Sequence, residues 1–368
     1  MSSPIAQTTE VSRPRIRVKF LSKAQPANKE YGVWIGRFPQ AHPSWGRCDF
    51  IFDQECDQYD WLVVYDDLPL TNPGGKPLWE EHLRCPQAHT LLLTTEPSSI
   101  KTYGEGFCKQ FGWILTSQEP WALRHPHRIY SQTGLLWFYG NTGIRGSYDQ
   151  LAAQTEPPLK TCSISTVCSN KQMRHTLHQA RYDFTQALKQ KFPELDIFGQ
   201  GVRPISDKAD ALDAYRYHIA IENHISPHHW TEKLSDPLLA YCLPFYHGCP
   251  NMSAYIPEES FIAVDIYKFG ETCERIAKAI RDQEYTKRLP FIREARRRIL
   301  KDYSTFGQLT RLIQDRHSPA SLQDGTHRLL SRHAWRRCHP ILSLGSIFEK
   351  GAIQAWNRLT YRTFSPDR

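Results

Sequence analysis

Residues 217–234 read YHIAIENHISPHHWTEKL. Tyr217 to Ile221 is a mostly apolar run that stops at two polar residues, Glu222 and Asn223, as a buried strand does when it delivers side chains at its carboxyl end. A loop from His224 to His229 follows, and Thr231 can cap a helix whose first turn holds Glu232 and Lys233. This is half of a βαβ unit. Lys233 is its anomaly, because a lysine in a first helical turn faces the positive end of the helix dipole at a cost of some tenths of a kcal/mol. A phosphate held there would remove the cost, since the free N–H groups of a helix N-terminus converge on one anion. The plainer reading is a solvent-exposed lysine beside a surface carboxylate.

The same alternation extends in both directions. Arg15 to Leu21 (RIRVKFL) suits a half-buried strand, and Trp61 to Tyr65 (WLVVY) suits a buried one closed by Asp66, Asp67 and Pro69. Leu91 to Leu93 runs into Thr94-Thr95-Glu96-Pro97 in the same way. Consecutive prolines in Thr155 to Lys160 break regular structure, and a fresh strand, Ile164 to Val167, comes after them. Then a helical pattern over Lys171 to Gln190 leads to strands at Leu195–Phe198, Leu243–Tyr246 and Phe261–Val264, with helices over Glu271–Arg281 and Thr286–Tyr303. Strands separated by helices predict parallel sheets, hence two doubly wound α/β domains. The expected limits are 1–156, 157–316 and a basic helical tail at 317–368.

Composition narrows the function classes. Of 368 residues, 40% are apolar and 12% aromatic, which is globular rather than disordered. No apolar run approaches a membrane span, and no signal-like segment opens the chain, so a cytoplasmic protein is expected, with the tail at most peripheral on the cytoplasmic membrane face. Ten scattered cysteines without a CxxC pair fit reduced, buried thiols better than a zinc site. The net charge of +8 gathers in Lys287–Lys301 and beyond Arg328, where basic residues interleave with Trp335, Phe348, Trp356 and Tyr361. Such a tail either lies on a membrane surface or packs on the first domain with its arginines in water. Gly140, Gly143 and Gly146 lack the strand-to-helix setting of a dinucleotide fingerprint and read as a loop. His224, His228 and His229 read as lining a polar cleft on a flexible loop rather than as a metal set.

The runs IAIEN, WTEKL, LPFYHG and PEESFIAVD, in this order, together resemble the signature of the α-1,3-fucosyltransferase family, with a looser match over Cys168–Arg174. The resemblance implies a GT-B fold of two Rossmann-like domains that binds a GDP-sugar, GDP-fucose or a relative, on its C-terminal domain. It also implies inversion at the anomeric carbon. Arg174 and Lys233 match residues that hold the pyrophosphate, Glu232 matches the carboxylate at the nucleotide ribose, and Asn223 matches a contact to the nucleotide sugar. Glu222, Thr231 and His229 complete the expected nucleotide site, His229 standing where relatives often carry tyrosine. Thr95 to Ser99 resembles the turn carrying the base, which makes Glu96 the expected catalytic residue, with Asp66 and Asp67 as competitors. No metal or cofactor is required on this reading, stimulation by divalent ions being left open. The partners would be a glycan acceptor and, through the tail, a membrane surface, with no nucleic acid. Rival readings are a GT-B transferase of another sugar in surface-polysaccharide synthesis, or a non-catalytic protein binding anionic glycan or nucleic acid through the tail.

Overall fold

The computed structural model describes residues 14–23, 32–70, 75, 78–134, 136–140, 146–170, 176–319, 326–360 and 364–365. Its first sheet comprises β1 (Ile16–Ser22), β2 (Ser44–Trp45), β3 (Cys48–Ile51), β4 (Trp61–Tyr65), β6 (Thr90–Leu93), β7 (Trp113–Thr116) and β8 (Arg128–Tyr130), in the order β2-β3-β1-β4-β6-β7-β8. All pairs are parallel except β2 with β3. β5 (Glu80–His82) lies outside it and pairs antiparallel with β14 (Arg328–Leu330). The central strand β4 is buried on both faces, which is why its sequence is continuously apolar instead of alternating. The second sheet is wholly parallel, β9 (Cys162–Val167), β10 (Asp196–Phe198), β11 (Tyr215–Ile221), β12 (Leu243–His247) and β13 (Ile262–Ala263), ordered β10-β9-β11-β12-β13.

Helices connect these strands: α1 (Gly32–Ile35), α2 (Glu105–Cys108), α3 (Tyr148–Ala153), α4 (His178–Lys191), α5 (Ala209–Leu212), α6 (Glu232–Leu239), α7 (Phe269–Arg281) and α8 (Glu284–Lys301). Beyond them lie α9 (Thr305–Arg316), α10 (Arg332–Cys338) and α11 (Pro340–Thr360). Two doubly wound parallel sheets joined in this way are the GT-B arrangement expected from the sequence. Each chain order reverses direction once, between β1 and β4 in the first sheet and between β9 and β11 in the second. Open α/β sheets bind ligands at the carboxyl edge of such reversals.

The domain limits differ from the sequence expectation at both crossings. Trp137, Tyr139 and Leu151 already belong to the core of the second sheet, although they fall in the expected 1–156 unit. Conversely, Phe306, Leu309 and Ile313 of α9, expected in the 157–316 unit, pack into the core of the first sheet. There the Phe306 ring stacks on Phe38 at 4.0 Å and meets Phe50 at 5.0 Å. Spacing of three and four residues fixes the apolar face of α9 but not the sheet it covers. The tail also divides: Leu329 enters the first domain's core, and Trp335 of α10 lies against Gly106 of α2. Farther on, Phe364 reaches the second domain and packs on Phe184 and Phe269.

All ten cysteines are free, seven of them buried. Among the described residues no helix is long and apolar enough to cross a membrane.

Candidate active site

The two carboxyl edges face each other across a cleft of about 440 Å³. Tyr65, Thr95 and Glu96 of the first domain line one wall; Asn223, His229, Thr231, Glu232 and Lys233 of the second line the other. A contiguous recess of about 240 Å³ runs into the second domain at the β9/β11 reversal and shares Asn223, Glu232 and Lys233 with the cleft. Arg174, the expected pyrophosphate arginine, lies outside the described residues.

The second-domain wall is built on the cap of α6. Thr231 takes an extended backbone conformation and its hydroxyl accepts from the Lys233 N–H. Glu222, at the end of β11, is fully buried and accepts from both the Thr231 N–H and its hydroxyl at 2.8 Å. Both oxygens of Glu222 are thereby committed to Thr231, so this residue, expected among the nucleotide contacts, acts on the site by holding the cap. Burial pushes its carboxyl up, and Lys233, 3.9 Å away, opposes this. Thr231→Val is expected to cost about 2–3 kcal/mol, from a lost cap and a buried carboxylate oxygen left without a partner. Urea unfolding with an unchanged m-value would register it.

Lys233 directs its ammonium to Glu232 at 3.0 Å and to the Thr231 hydroxyl at 3.3 Å. Glu232 in turn lies 3.8 Å from Lys208, which is held by Asp236 at 2.6 Å. Burial alone would raise the Glu232 carboxyl, but the two lysines pull it far below the usual range and keep it ionised. The recess therefore has a cationic mouth with its carboxylates locked onto lysines. A third cation stands there: Arg181, one turn into α4, donates to Asn223 Oδ1 at 3.0 Å and to the Val167 carbonyl. Arg181 and Lys233 line the same recess beside the mouth of α6. Arg181 and Lys208 were not singled out from sequence. Arg181's position in the first turn of the helix that follows β9, at the same sheet edge as Asn223, was the available signal.

On the opposite wall Glu96 projects into the open cleft. Partial enclosure by the two domains and the negative charge of Asp66 push its carboxyl above the ordinary value, and Lys101 and Lys233 act against that rise. Asp66 is committed elsewhere, receiving Lys101 at 2.5 Å, Tyr103 at 2.7 Å and Thr95 at 2.9 Å. Burial works to raise its carboxyl, but these partners bring it below the usual range. Asp67 is buried and accepts from the backbone N–H groups of Leu68 and Arg332. Both competitors for the base are thus structural, and Glu96 alone of the three faces the cleft.

The histidines of the 224–229 loop point to separate partners, and two of them, His224 and His229, tie the second domain to the first. His224 Nε2 meets Glu119 at 2.9 Å, His229 Nδ1 meets the Ser117 hydroxyl at 3.1 Å, and His228 Nδ1 meets the Tyr255 hydroxyl at 2.5 Å. The loop expected to be flexible is pinned to the end of β7. Burial drives His229 well below its ordinary pKa, so it lines the cleft as neutral imidazole. Among the described residues no group of three or more histidine, cysteine or acidic side chains is placed to hold a metal ion.

Parts of the chain are similar to known proteins. Residues 157–289 match the family described as Glycosyltransferase family 10 (fucosyltransferase) C-term. The human 4-galactosyl-N-acetylglucosaminide 3-alpha-L-fucosyltransferase FUT6 is 28% identical over 195 residues, 49% of this chain and 53% of the relative. The chimpanzee (Pan troglodytes) 3-galactosyl-N-acetylglucosaminide 4-alpha-L-fucosyltransferase FUT3 is 27% identical over 143 residues, 37% of this chain and 38% of the relative. The chain thus spans about half the length of the curated relatives it matches, or less. A solved alpha1,3-fucosyltransferase with GDP-fucose aligns with 88% of this chain and 96% of its own at a TM-score of 0.47 and 15% identity. The segment that carries β9 to β13, the α6 cap and the cationic recess is thus the part of the chain that matches the C-terminal model of glycosyltransferase family 10.

Proposed function

We propose that the chain is an inverting fucosyltransferase that moves fucose from GDP-fucose to a hydroxyl of an acceptor glycan. The observation that carries the reading is that Glu96 and Lys233, from different domains, line one cleft. The GDP moiety occupies the recess, with its diphosphate between Arg181 and Lys233 at the mouth of α6 and its ribose toward Glu232. An acceptor hydroxyl, approaching from the first domain, gives its proton to Glu96 as its oxygen bonds to the anomeric carbon. The bond from that carbon to the diphosphate oxygen breaks in the same step, and the two cations stabilise the departing charge. Attack from the face opposite the leaving group inverts the anomeric centre. Arg174, outside the described residues, keeps the pyrophosphate role that the resemblance implies, and Arg181 is a further arginine beside the diphosphate. No step requires a metal. Protein incubated with GDP-fucose, UDP-glucose and UDP-N-acetylglucosamine, with and without glycan acceptors, tests the reading: GDP release from GDP-fucose is expected, and release from UDP-sugars alone defeats it.

We further propose that α11 rests on an anionic membrane surface. Ile341, Phe348 and Trp356 are exposed along it, 82%, 78% and 57% respectively, next to Arg336, Arg337 and Lys350. An apolar helical face flanked by cations suits the headgroup boundary. Co-sedimentation with vesicles containing phosphatidylserine is expected, and the vesicle affinity should fall at least about a hundredfold in Phe348→Ser/Trp356→Ser, since burying such side chains is worth roughly 1.5–3 kcal/mol each. Equal sedimentation of the wild type with neutral vesicles and of the variant with anionic ones would sink the proposal.

A further inference from the structure

A second cavity, of about 660 Å³, lies between the first domain and the tail, formed by the segment around α2, the loop 121–124 and helices α10 and α11. Its walls carry Trp121, Trp335 and Tyr103 together with Glu105, Lys109, Glu349 and Arg124. The Trp335 indole lies so close to α2 that a Cβ on Gly106 would fall 2.0 Å from its ring, so only a glycine admits it there. It is also stacked on His339 at 4.7 Å, which fixes the ring plane. Trp121, 44% exposed, stands edge-on to Trp356 at 6.4 Å.

This lining selects a ligand class. The exposed Trp121 indole offers an apolar face, while two carboxylates, a guanidinium and an ammonium offer hydrogen-bond acceptors and donors around it. An acyl chain would bury Glu349 and Arg124 without giving them a partner. The lining is balanced, two carboxylates against Arg124 and a Lys109 that Glu105 already holds at 2.6 Å, so it carries no net charge to draw in a phosphate. A neutral pyranose satisfies both sets, its C–H face on an indole and its hydroxyls on the carboxylates and guanidinium. One buried side chain links the cavity to the loop of Glu96: Tyr103 lines it, and the same tyrosine's hydroxyl accepts from the backbone N–H of Thr95.

We propose that this cavity is a subsite for neutral sugar residues of the acceptor, remote from the hydroxyl that reacts. The assignment rests on the transferase reading above and extends it to the acceptor. The subsite gives longer glycans an affinity that shorter ones lack. The test uses the full chain and two independent titrations, one with GDP and one with N-acetyllactosamine oligomers and chito-oligosaccharides of increasing length. Oligosaccharide affinity is expected to rise with length in the wild type. Trp121→Ala and Glu349→Gln should each weaken the longest oligomers about tenfold, down to the level of the shortest, with GDP affinity unchanged. Length-independent binding, absence of oligosaccharide binding, or full length dependence in both variants overturns the subsite. Failure to bind GDP instead overturns the transferase reading, so the two outcomes are separable.

Discussion

Glu96→Gln is expected to lower kcat for transfer by about 10²–10⁴, the usual worth of a positioned general base, while leaving GDP affinity intact. Glutamine keeps the shape of the side chain and its hydrogen-bonding edge but cannot accept the acceptor's proton. Because Glu96 projects into the open cleft and its backbone carbonyl is what Gln118 holds at 2.8 Å, the substitution leaves the fold unperturbed. The pH profile gives a second readout. The Glu96 carboxyl is raised by its enclosure and by Asp66, so it takes up a proton at a higher pH than an ordinary glutamate. Activity in the wild type should therefore fall as pH drops through that raised value, the base being consumed by protonation. In Glu96→Gln this acidic limb should vanish from the residual rate. Asp66→Asn is the informative contrast, since Asp66 receives Lys101, Tyr103 and Thr95 and contributes mainly the orientation of the loop that carries Glu96. A Glu96→Gln protein with wild-type turnover and an intact acidic limb would assign the base elsewhere.

What the sequence revealed of this site follows a physical division. Features set by near neighbours were legible: the continuous apolar run of β4, the cap at Thr231 and the start of α6 follow from propensity and local hydrogen bonding. Features set by distant partners were not. Glu222 reads as a carboxylate delivered to a ligand, yet it is fully buried and both its oxygens serve Thr231. The loop histidines read as a mobile group, whereas Ser117 and Glu119, about a hundred positions earlier in the chain, fix two of them. α9 carries an apolar stripe that any sheet could have covered, and it returns to the first one. Arg181 carries no signature of its own, since one arginine on a helix gains meaning only from Asn223 and Lys233 beside it. The fold was thus more legible than the site, since a fold averages over many residues and a site depends on a few long-range meetings.

Lys233→Ala should cost about 10²–10³ in kcat, the loss seen when one fixed group facing developing charge is removed, or roughly 3–4 kcal/mol of transition-state stabilisation. Lys233→Arg should recover little, because the compact ammonium sits among Thr231, Glu232 and Glu222 where a planar guanidinium has no matching geometry. Arg181→Ala should produce a loss of similar size, and the double variant less than the sum of the two, as expected for cations sharing one diphosphate. The most discriminating result concerns Glu96. Lys233 is among the charges that hold the Glu96 carboxyl down, so its removal should raise that carboxyl further. The acidic limb of the residual activity in Lys233→Ala should therefore move to higher pH, since the base is now protonated sooner on acidification. A purely structural lysine, remote from the base, would lower the rate without moving the limb. An unmoved limb with unaltered GDP affinity would separate the two residues and remove the geometric ground for placing leaving group and base on either side of one anomeric carbon.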